Sequence, residues 1–380
     1  DDEELDLFIT NVCKKCYGYY LIFNDPFNKV FTNKMSSMLF LISEIITMDD
    51  GYIKQYIINS NYKIDKPLTE ADLNLLNISL ILPSFMNENW ETDVNLVHNI
   101  FCYMLRKRYY KDLVIKYISN ITEQYNFRTK SFYIATNRGV DEINRYLVTL
   151  TSVLLLLWNG ARKIHPNKIK DIKMMYIYSN DCEMPSLSSE DVFWSESLID
   201  IPEDIENDFS FLTKCFFFTM KMAYVTLFPL IKIHLRIKKK LDDTQIILKD
   251  IIKKWGSYDD IPIIDKAIYD RLRKSETELT NKKMGIEKIF IENSSFQLAL
   301  PKFYEDFFTI GINLLEKDEL IEFHSIPEFF LDSALEFMIF NTLDISSLTS
   351  SQSAMKFIFQ ILNNDKLIKN PYLKFKMIEF

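Results

Sequence analysis

Glycine is scarce in this chain, with 7 residues among 380, against an average usage of about 7%. Doubly wound nucleotide-binding folds need glycines where the backbone approaches a phosphate, and β-sandwiches need them in their many turns. The sequence has no Gly-x-x-x-x-Gly-Lys segment, which is the signature of a phosphate-binding loop. The composition therefore excludes a P-loop and argues against both fold classes.

The five cysteines form no recognisable site. They are odd in number and scattered over a long chain, so they predict a reducing compartment rather than a disulfide framework. Cys13 and Cys16 have half of a zinc-site spacing, but the nearest histidine is His98, and we predict no metal. Cys215 follows Lys214 but precedes three phenylalanines. Burial there would raise the pKa of its thiol, so an enzyme acting through Cys215 is the weakest alternative.

An excess of positive charge is also missing. The chain has 45 basic and 53 acidic residues, a formal net charge of -8, which argues against a general nucleic-acid-binding protein because a phosphate backbone would be repelled. The basic run at residues 236–240 is typical of the end of a helix, where cations complement the helix dipole. A contact with an acidic partner is the alternative interpretation of this run.

No segment is predicted to cross a membrane or to direct secretion. Residues 1–30 open with four acidic residues and lack the pattern of a signal peptide. The apolar stretch from Leu147 to Trp158 is about half the length that a span requires. The stretch from Cys215 to Ile231 contains Lys221 and Pro229. We therefore interpret both as buried helices of a protein core.

Apolar residues recur at spacings of three and four, which predicts helices, and no convincing alternating strand is present. The fold class is predicted to be all-α. The length of the chain favours a stacked helical-repeat solenoid over a bundle, with no strict repeat period. The predicted helices cover residues 73–85, 93–108, 141–158, 208–240, 295–317 and 325–340.

Two polar stretches, residues 159–208 and 255–293, are predicted to be surface loops or linkers, and the first is the predicted seam of the chain. Helix starts are predicted at Ser325, with Pro327 and Glu328 in the first turn, at Thr349, and at Asn370 followed by Pro371. The helix after Pro371 stops in the middle of its apolar pattern, which suggests a fragment of a longer protein.

Four blocks of sequence stand out as motifs, at residues 147–166, 211–219, 326–330 and 370–379. In their residues and their order they resemble the ubiquitin conjugation factor family, the chain-elongating ubiquitin ligases with a C-terminal U-box. Lys214, Tyr224 and His165 depart from its usual residues. The positions that match family motifs are Phe211, Thr213, Cys215, Phe216, Phe217, Thr219, Pro327, Glu328, Asn370, Pro371, Tyr372, Leu373, Lys376 and Glu379.

The resemblance implies an elongated, armadillo-like helical-repeat solenoid. Residues 1–90 would be a variable N-terminal helical region and residues 91–380 the elongating factor core, with the U-box absent from this chain. A U-box recruits a conjugating enzyme without a covalent intermediate. The matching residues would therefore maintain the fold, with no catalytic residue and no cofactor. Phe216, Phe217 and Phe218 would fill the centre of the array, and residues 370–373 would start and dock the helix that leads to the U-box.

The function implied by the resemblance is a core scaffold that positions already ubiquitylated substrates for chain elongation before proteasomal degradation. The full-length parent would be a ubiquitin-protein transferase, whereas this chain alone would be inactive. The implied partners are a ubiquitin-conjugating enzyme, ubiquitylated substrates, an AAA segregase and shuttle proteins at residues 1–90, in the cytoplasm and nucleus. The alternative is a non-enzymatic helical-repeat adaptor or transport receptor.

Overall fold

The computed structural model describes residues 94–95, 98–99, 101–102, 105–106, 108–136, 142–180, 182–184, 186–187, 192–193, 209–341, 352–364 and 366–380. These residues are overwhelmingly helical, and among them the only β-type pairing is an isolated bridge between Val192 and Pro327. The all-α prediction is confirmed for this part of the chain. The α-helices are α1 (Arg108–Gln124), α2 (Ser131–Thr136), α3 (Glu142–Ile164), α4 (Phe211–Trp255), α5 (Ile263–Glu292), α6 (Leu300–Glu316), α7 (Leu320–His324), α8 (Glu328–Phe340), α9 (Gln352–Leu362) and α10 (Pro371–Glu379).

The chain divides into two compact units. The first comprises residues 1–121 and 141–153, and the second comprises residues 122–140 and 154–380. In the first unit the buried side chains include Phe101, Val114 and Ile118, and in α3 Leu147 and Val148. The second unit contains the sequence blocks that begin at residues 211, 326 and 370.

Helix α4 has 45 residues and is therefore about 68 Å long at 1.5 Å per residue. Its N-terminus is capped by Ser210, whose Oγ accepts a hydrogen bond of 3.1 Å from the backbone N–H of Thr213. It ends at Gly256, which has a φ of 82°, a conformation that suits glycine at a helix end. The prediction that this helix stops at residue 240 was wrong, because Leu241, Thr244 and Leu248 continue its buried face.

Helix α5 occupies most of the stretch predicted as a surface loop. It runs from Ile263 to Glu292, and it packs along α4. Its numerous charges are arranged at helical spacing, as in the pairs Lys283–Glu287 and Lys288–Glu292. The loop prediction was wrong because charges spaced by three and four residues stabilise a solvent-facing helix as readily as they solvate a loop.

The predicted seam is only partly a surface segment. Helix α3 continues to Ile164, and two 3₁₀-helices follow at Pro166–Asp171 and Met174–Tyr178. This prediction was wrong for part of the seam, because nine apolar side chains of its described residues are buried in the core: Ile169, Ile172, Met174, Met175, Tyr176, Ile177, Met184, Leu187 and Phe193. Apolar residues grouped in short irregular segments bury as well as those in long helices, but without a recognisable period.

The start of α8 differs from the predicted cap. Ser325 closes the preceding helix α7, and its Oγ donates a hydrogen bond of 2.7 Å to the carbonyl of Ile321. Pro327 is the N-cap residue of α8, and Glu328 is its first residue. The prediction of a Ser325 cap was therefore wrong. The residues predicted to cap α9 from Thr349 and the predicted helix at residues 73–85 lie outside the described residues, whereas the Asn370 cap is confirmed.

Among the residues that the structure describes, two helices are long and apolar enough to cross a membrane by length and composition, namely Leu147–Ile164 within α3 and part of α4. In the α4 window 89% of the residues are buried inside the protein. Lys221, in the middle of this stretch, is fully buried, with its Nζ 4.6 Å from the centroid of the Phe329 ring. Such burial is typical of a core helix.

A phenylalanine-rich core holds the second unit together. Phe216 and Phe217 on α4 are completely buried and contact Phe330 on α8 with ring centroids 5.8 and 5.3 Å apart. The ring centroid of Trp158 on α3 lies 5.4 Å from that of Phe216. The Nε1 of Trp158 donates a hydrogen bond of 2.9 Å to the buried carboxylate of Asp306 on α6. Helices α3, α4, α6 and α8 therefore share one aromatic core.

Helices α6 and α9 approach closely at Gly311. A Cβ atom at this position would overlap the ring of Phe357 on α9, so glycine is needed here for space rather than for its backbone freedom. We expect Gly311→Ala to lower the free energy of unfolding by about 1 to 3 kcal/mol, because overpacking displaces neighbouring side chains. Chemical denaturation measures this difference.

The matched control is Gly285→Ala on α5, where an added Cβ meets nothing within 4 Å. That substitution should be neutral or stabilise the protein by about 0.5 to 1 kcal/mol, because alanine favours helix more than glycine does. Equal stability of the two variants would contradict the close approach of α6 and α9.

Candidate functional site

The strongest polar constellation in the second unit is the attachment of α10. Asn370 caps this helix, since its Oδ1 accepts a hydrogen bond of 2.9 Å from the backbone N–H of Tyr372, while Pro371 occupies the first helical position. The Asn370 side chain also donates a hydrogen bond of 2.5 Å from Nδ2 to the carboxylate of Glu328. One residue therefore starts α10 and ties it to the first turn of α8.

A buried ion-pair cluster fixes the other end of α10. The Nζ of Lys376 contacts the carboxylates of Asp332 and Glu336 on α8. Glu336 also accepts a hydrogen bond of 2.7 Å from the Nζ of Lys232 on α4. The exposed fractions of the Lys376 and Glu336 side chains are 5% and 6%. The four charges, which we call the Lys376 cluster (Lys232, Asp332, Glu336 and Lys376), join three helices.

Two members of the cluster, Glu336 and Lys376, have pKa values that are shifted toward their charged forms. Burial by itself would raise the pKa of Glu336, but Lys376 and Lys232 more than offset it and the pKa is lowered. Burial would likewise lower the pKa of Lys376, yet Asp332 and Glu336 raise it. A buried charge is tolerated only where partners compensate for its lost hydration. Glu336 and Lys376 are therefore ionised at neutral pH, and the contact between them joins α8 to α10.

Aromatic rings complete the environment of the two lysines. The ring of Phe228 on α4 lies 5.3 Å from the Nζ of Lys232 and 5.9 Å from that of Lys376. The ring of Tyr372 lies 5.5 Å from the Nζ of Lys376. These distances are within the range of cation–π attraction. The two rings therefore interact favourably with the cations of the cluster.

A short segment of the seam at Phe193 is hydrogen-bonded to the same region. The backbone N–H of Phe193 donates a hydrogen bond of 3.0 Å to the carbonyl of Ile326, just before α8. The carbonyl of Phe193 accepts one of 3.3 Å from Lys369, just before α10. Phe193 itself is fully buried, and its ring lies 5.4 Å from that of Phe323. The starts of α8 and α10 are thus held through one short extended segment.

The structure brings the blocks at residues 326–330 and 370–379 into one polar site. The aromatic core connects the block at residues 211–219 to α8. Glu328, Asn370 and Lys376 meet at the α8–α10 contact, and Leu373 is buried beside them in α10. Tyr372 is 53% exposed, and Glu379 is exposed.

Pro327 is buried at the start of α8. In α4, Thr213, Cys215, Phe216, Phe217 and Thr219 are buried, whereas Phe211 is half-buried.

Cys215 has the environment of a structural cysteine. It is buried, and burial raises the pKa of its thiol to about 12. The hydroxyl of Thr219 donates a hydrogen bond of 2.7 Å to the Cys215 carbonyl, within the same helix. A thiol with this pKa is not a thiolate at neutral pH, and it does not act as a nucleophile. Cys13 and Cys16 lie outside the described residues, and in the described part of the chain no group of three metal ligands occurs.

Two histidines that look isolated in the sequence have partners in the structure. The Nε2 of His234 on α4 lies 3.0 Å from the Glu287 carboxylate on α5, and His234 is fully buried. In the first unit, the Nε2 of His98 lies 3.5 Å from the Sγ of Cys102. The His234 contact joins two helices, and the His98 contact lies within a single turn.

Sequence reasoning missed three of the four residues of the Lys376 cluster. Asp332 and Glu336 lie four residues apart in a stretch that is otherwise rich in phenylalanine and leucine. Acidic residues at helical spacing within a buried helix indicate a buried cationic partner. That signal was present, but it could not identify Lys232 or Lys376 as the partners.

Comparison with known families identifies a match over most of the chain. The family described as ubiquitin elongating factor core matches residues 65–380, which is most of the chain. No solved structure matches the chain. The match includes α10 and the Lys376 cluster, and it begins before the predicted boundary at residue 91. The chain belongs to the ubiquitin elongating factor core family.

Proposed function

We propose that this chain is the scaffold of a U-box ubiquitin ligase that lengthens ubiquitin chains on already ubiquitylated substrates. The observation that supports the proposal most strongly is the family match over residues 65–380. The elongated, armadillo-like solenoid belongs to the same proposal and rests on the resemblance of the sequence blocks.

The scaffold acts by positioning. Bringing two reactants together in a fixed geometry accelerates their reaction without any group that reacts covalently. Cys215 is buried, and the pKa of its thiol is too high for it to carry ubiquitin as a thioester. The reactive thioester belongs to the conjugating enzyme, and the scaffold sets the distance between that enzyme and the substrate.

The Lys376 cluster supports this role. It joins α10, the last helix of the chain, to α8 and α4 through buried charges, and the aromatic core joins α4 to α8. A U-box that follows α10 would be held by these contacts. Loose attachment would spread the U-box over many orientations and lower its effective concentration at the substrate.

The partners in this proposal are a ubiquitin-conjugating enzyme bound through the U-box, ubiquitylated substrates and an AAA segregase. Shuttle proteins would bind residues 1–90, and the protein would act in the cytoplasm and nucleus for proteasomal degradation. These partners are implied by the resemblance to the family.

Reconstitution tests the proposal. We expect the longer parent protein with its U-box to extend a ubiquitin-primed substrate in the presence of activating enzyme, conjugating enzyme, ubiquitin and ATP. We expect the 380-residue chain to extend nothing under the same conditions. Immunoblots of ubiquitin-chain length measure both reactions.

Extension by the 380-residue chain alone would contradict the positioning role, because the reacting machinery would then lie within it. A parent protein that carries no U-box and elongates no chains would instead favour a helical-repeat adaptor.

A further inference from the structure

A proline interrupts the backbone hydrogen bonding of α4. Pro229 lies between the part of the helix that carries Phe216 and Phe217 and the part that pairs with α5. Proline has no backbone N–H, so the carbonyl of Val225, four residues earlier, loses the donor that it would have in an unbroken helix. Val225 and Pro229 are both buried, and a buried carbonyl without a donor is costly. The helix therefore needs a donor from elsewhere at this point.

Arg128 supplies that donor from a distant part of the sequence. Its Nε donates a hydrogen bond of 3.3 Å to the Val225 carbonyl. Arg128 belongs to the 3₁₀-helix Asn126–Thr129 and is fully buried, and its Cζ lies 5.1 Å from the centroid of the Tyr133 ring. A guanidinium is always charged and donates in a fixed, planar geometry, which makes it a strong donor to a carbonyl. The contact therefore replaces the hydrogen bond that Pro229 removes.

The same segment contacts α4 on the other side of the proline. Helix α2 follows directly on the 3₁₀-helix, and both pack against α4. The Nη1 of Arg236, which follows Pro229 by about two helical turns, donates a hydrogen bond to the carbonyl of Ala135. From Val225 to Arg236 is about 16 Å along the helix, at 1.5 Å per residue. We call residues 126–136 the splint, because its two contacts lie on either side of the proline.

We propose that the splint is a conformational lock on α4, with Arg128 as the positioning residue that holds the helix straight through Pro229. Helices bend at prolines because the missing hydrogen bond leaves fewer constraints between the two parts. The part before Pro229 is fixed in the aromatic core, and the part after it carries α5. With Arg128 in place, the direction of the α4–α5 pair relative to the aromatic core is fixed. Release of Arg128 turns Pro229 into a hinge.

A double-mutant cycle between positions 128 and 229 tests the lock. Arg128→Met removes the donor and keeps much of the volume, and Pro229→Ala gives α4 its own N–H for the Val225 carbonyl. With proline at position 229, we expect Arg128→Met to lower the folding equilibrium constant about tenfold or more, because a buried carbonyl is left unsatisfied. In the Pro229→Ala background the loss should be smaller by about tenfold, because the carbonyl keeps a donor. Chemical denaturation of the 380-residue chain measures all four proteins.

Hydrogen exchange locates the effect within α4. In Arg128→Met we expect the amides of residues 230–233, in the turn after Pro229, to exchange about tenfold faster, and residues 216–222 in the aromatic core to change less. Adding Pro229→Ala should restore slow exchange. The matched control is Arg271→Met, which removes an exposed arginine of α5. It should change neither the stability nor the exchange of α4.

An equal loss for Arg128→Met in the two backgrounds would overturn the lock, because Arg128 would then only fill the core. Unchanged exchange of residues 230–233 in a folded Arg128→Met protein would overturn it as well. Should Arg128→Met not fold, Arg128→Lys takes its place in the cycle with the same criterion. These measurements use no ubiquitin, so the lock can fail while the parent elongates chains, and the lock can hold while the parent does not.

Discussion

Replacing Phe217 by Ala is expected to lower the free energy of unfolding by about 3 to 5 kcal/mol, the usual range for truncating a buried phenylalanine. Phe217 is fully buried and contacts the rings of Tyr176, Phe216 and Phe330 at centroid distances of 5.1, 5.9 and 5.3 Å. The substitution removes contacts to two other segments, at Tyr176 and Phe330, and to the neighbouring Phe216. Close-packed neighbours cannot fill the cavity without leaving their rotamers. Chemical denaturation of the purified chain measures the loss.

Phe359→Ala is the matched control, because this side chain on α9 is 57% exposed. Its effect should stay within about 0.5 kcal/mol, as for most surface substitutions. Similar losses for the two variants would mean that Phe217 does not occupy the centre of the aromatic core.

Replacing Lys376 by Met is expected to cost about 3 to 5 kcal/mol, because removal of one member of a buried ion pair leaves the others uncompensated. Methionine keeps most of the volume, so the loss reports the charge rather than a cavity. Asp332 would lose its cation, while Glu336 would keep only Lys232. Chemical denaturation at pH 7 measures the loss, and hydrogen exchange of α10 would show where the structure loosens.

The effect of Lys376→Met should depend on pH. The pKa of Glu336 is lowered in the folded protein, so its stabilising contribution is complete above the unfolded pKa of about 4.3 and is lost as the pH falls through the folded value. The pKa of Lys376 is raised, so its contribution is complete below about 10.4 and is lost as the pH rises through the folded value. The difference between the two proteins should therefore be largest near neutral pH and shrink in acid.

Lys366→Met provides the control, since Lys366 is exposed and precedes α10 by a few residues. This change should have little effect at any pH. A loss of unfolding free energy in Lys376→Met that does not shrink in acid would show that the buried charges do not hold α10 in place. A loss equal to that of Lys366→Met would show the same.

The outcome for individual elements shows what local patterns can predict. The Asn370 cap was predicted because Asn followed by Pro specifies a helix start whatever the helix packs against. The Ser325 cap failed because the same serine can close the preceding turn, and only the position of α7 decides between the two. Helix α5 was missed because its half-exposed face has few apolar residues, and its helical form depends on α4 running beside it.

The sequence by itself determined the helical class, the burial of the phenylalanines in α4, the start of α10 and, through its motifs, the family. Each of these follows from residues that are neighbours along the chain, within one or two helical turns. Only the tertiary structure decided that Lys232, Asp332, Glu336 and Lys376 share one site and that the charged α5 is a helix packed along α4. These residues lie on different helices, and the energy of a charge or an apolar side chain depends on what surrounds it in space rather than on its position in the chain.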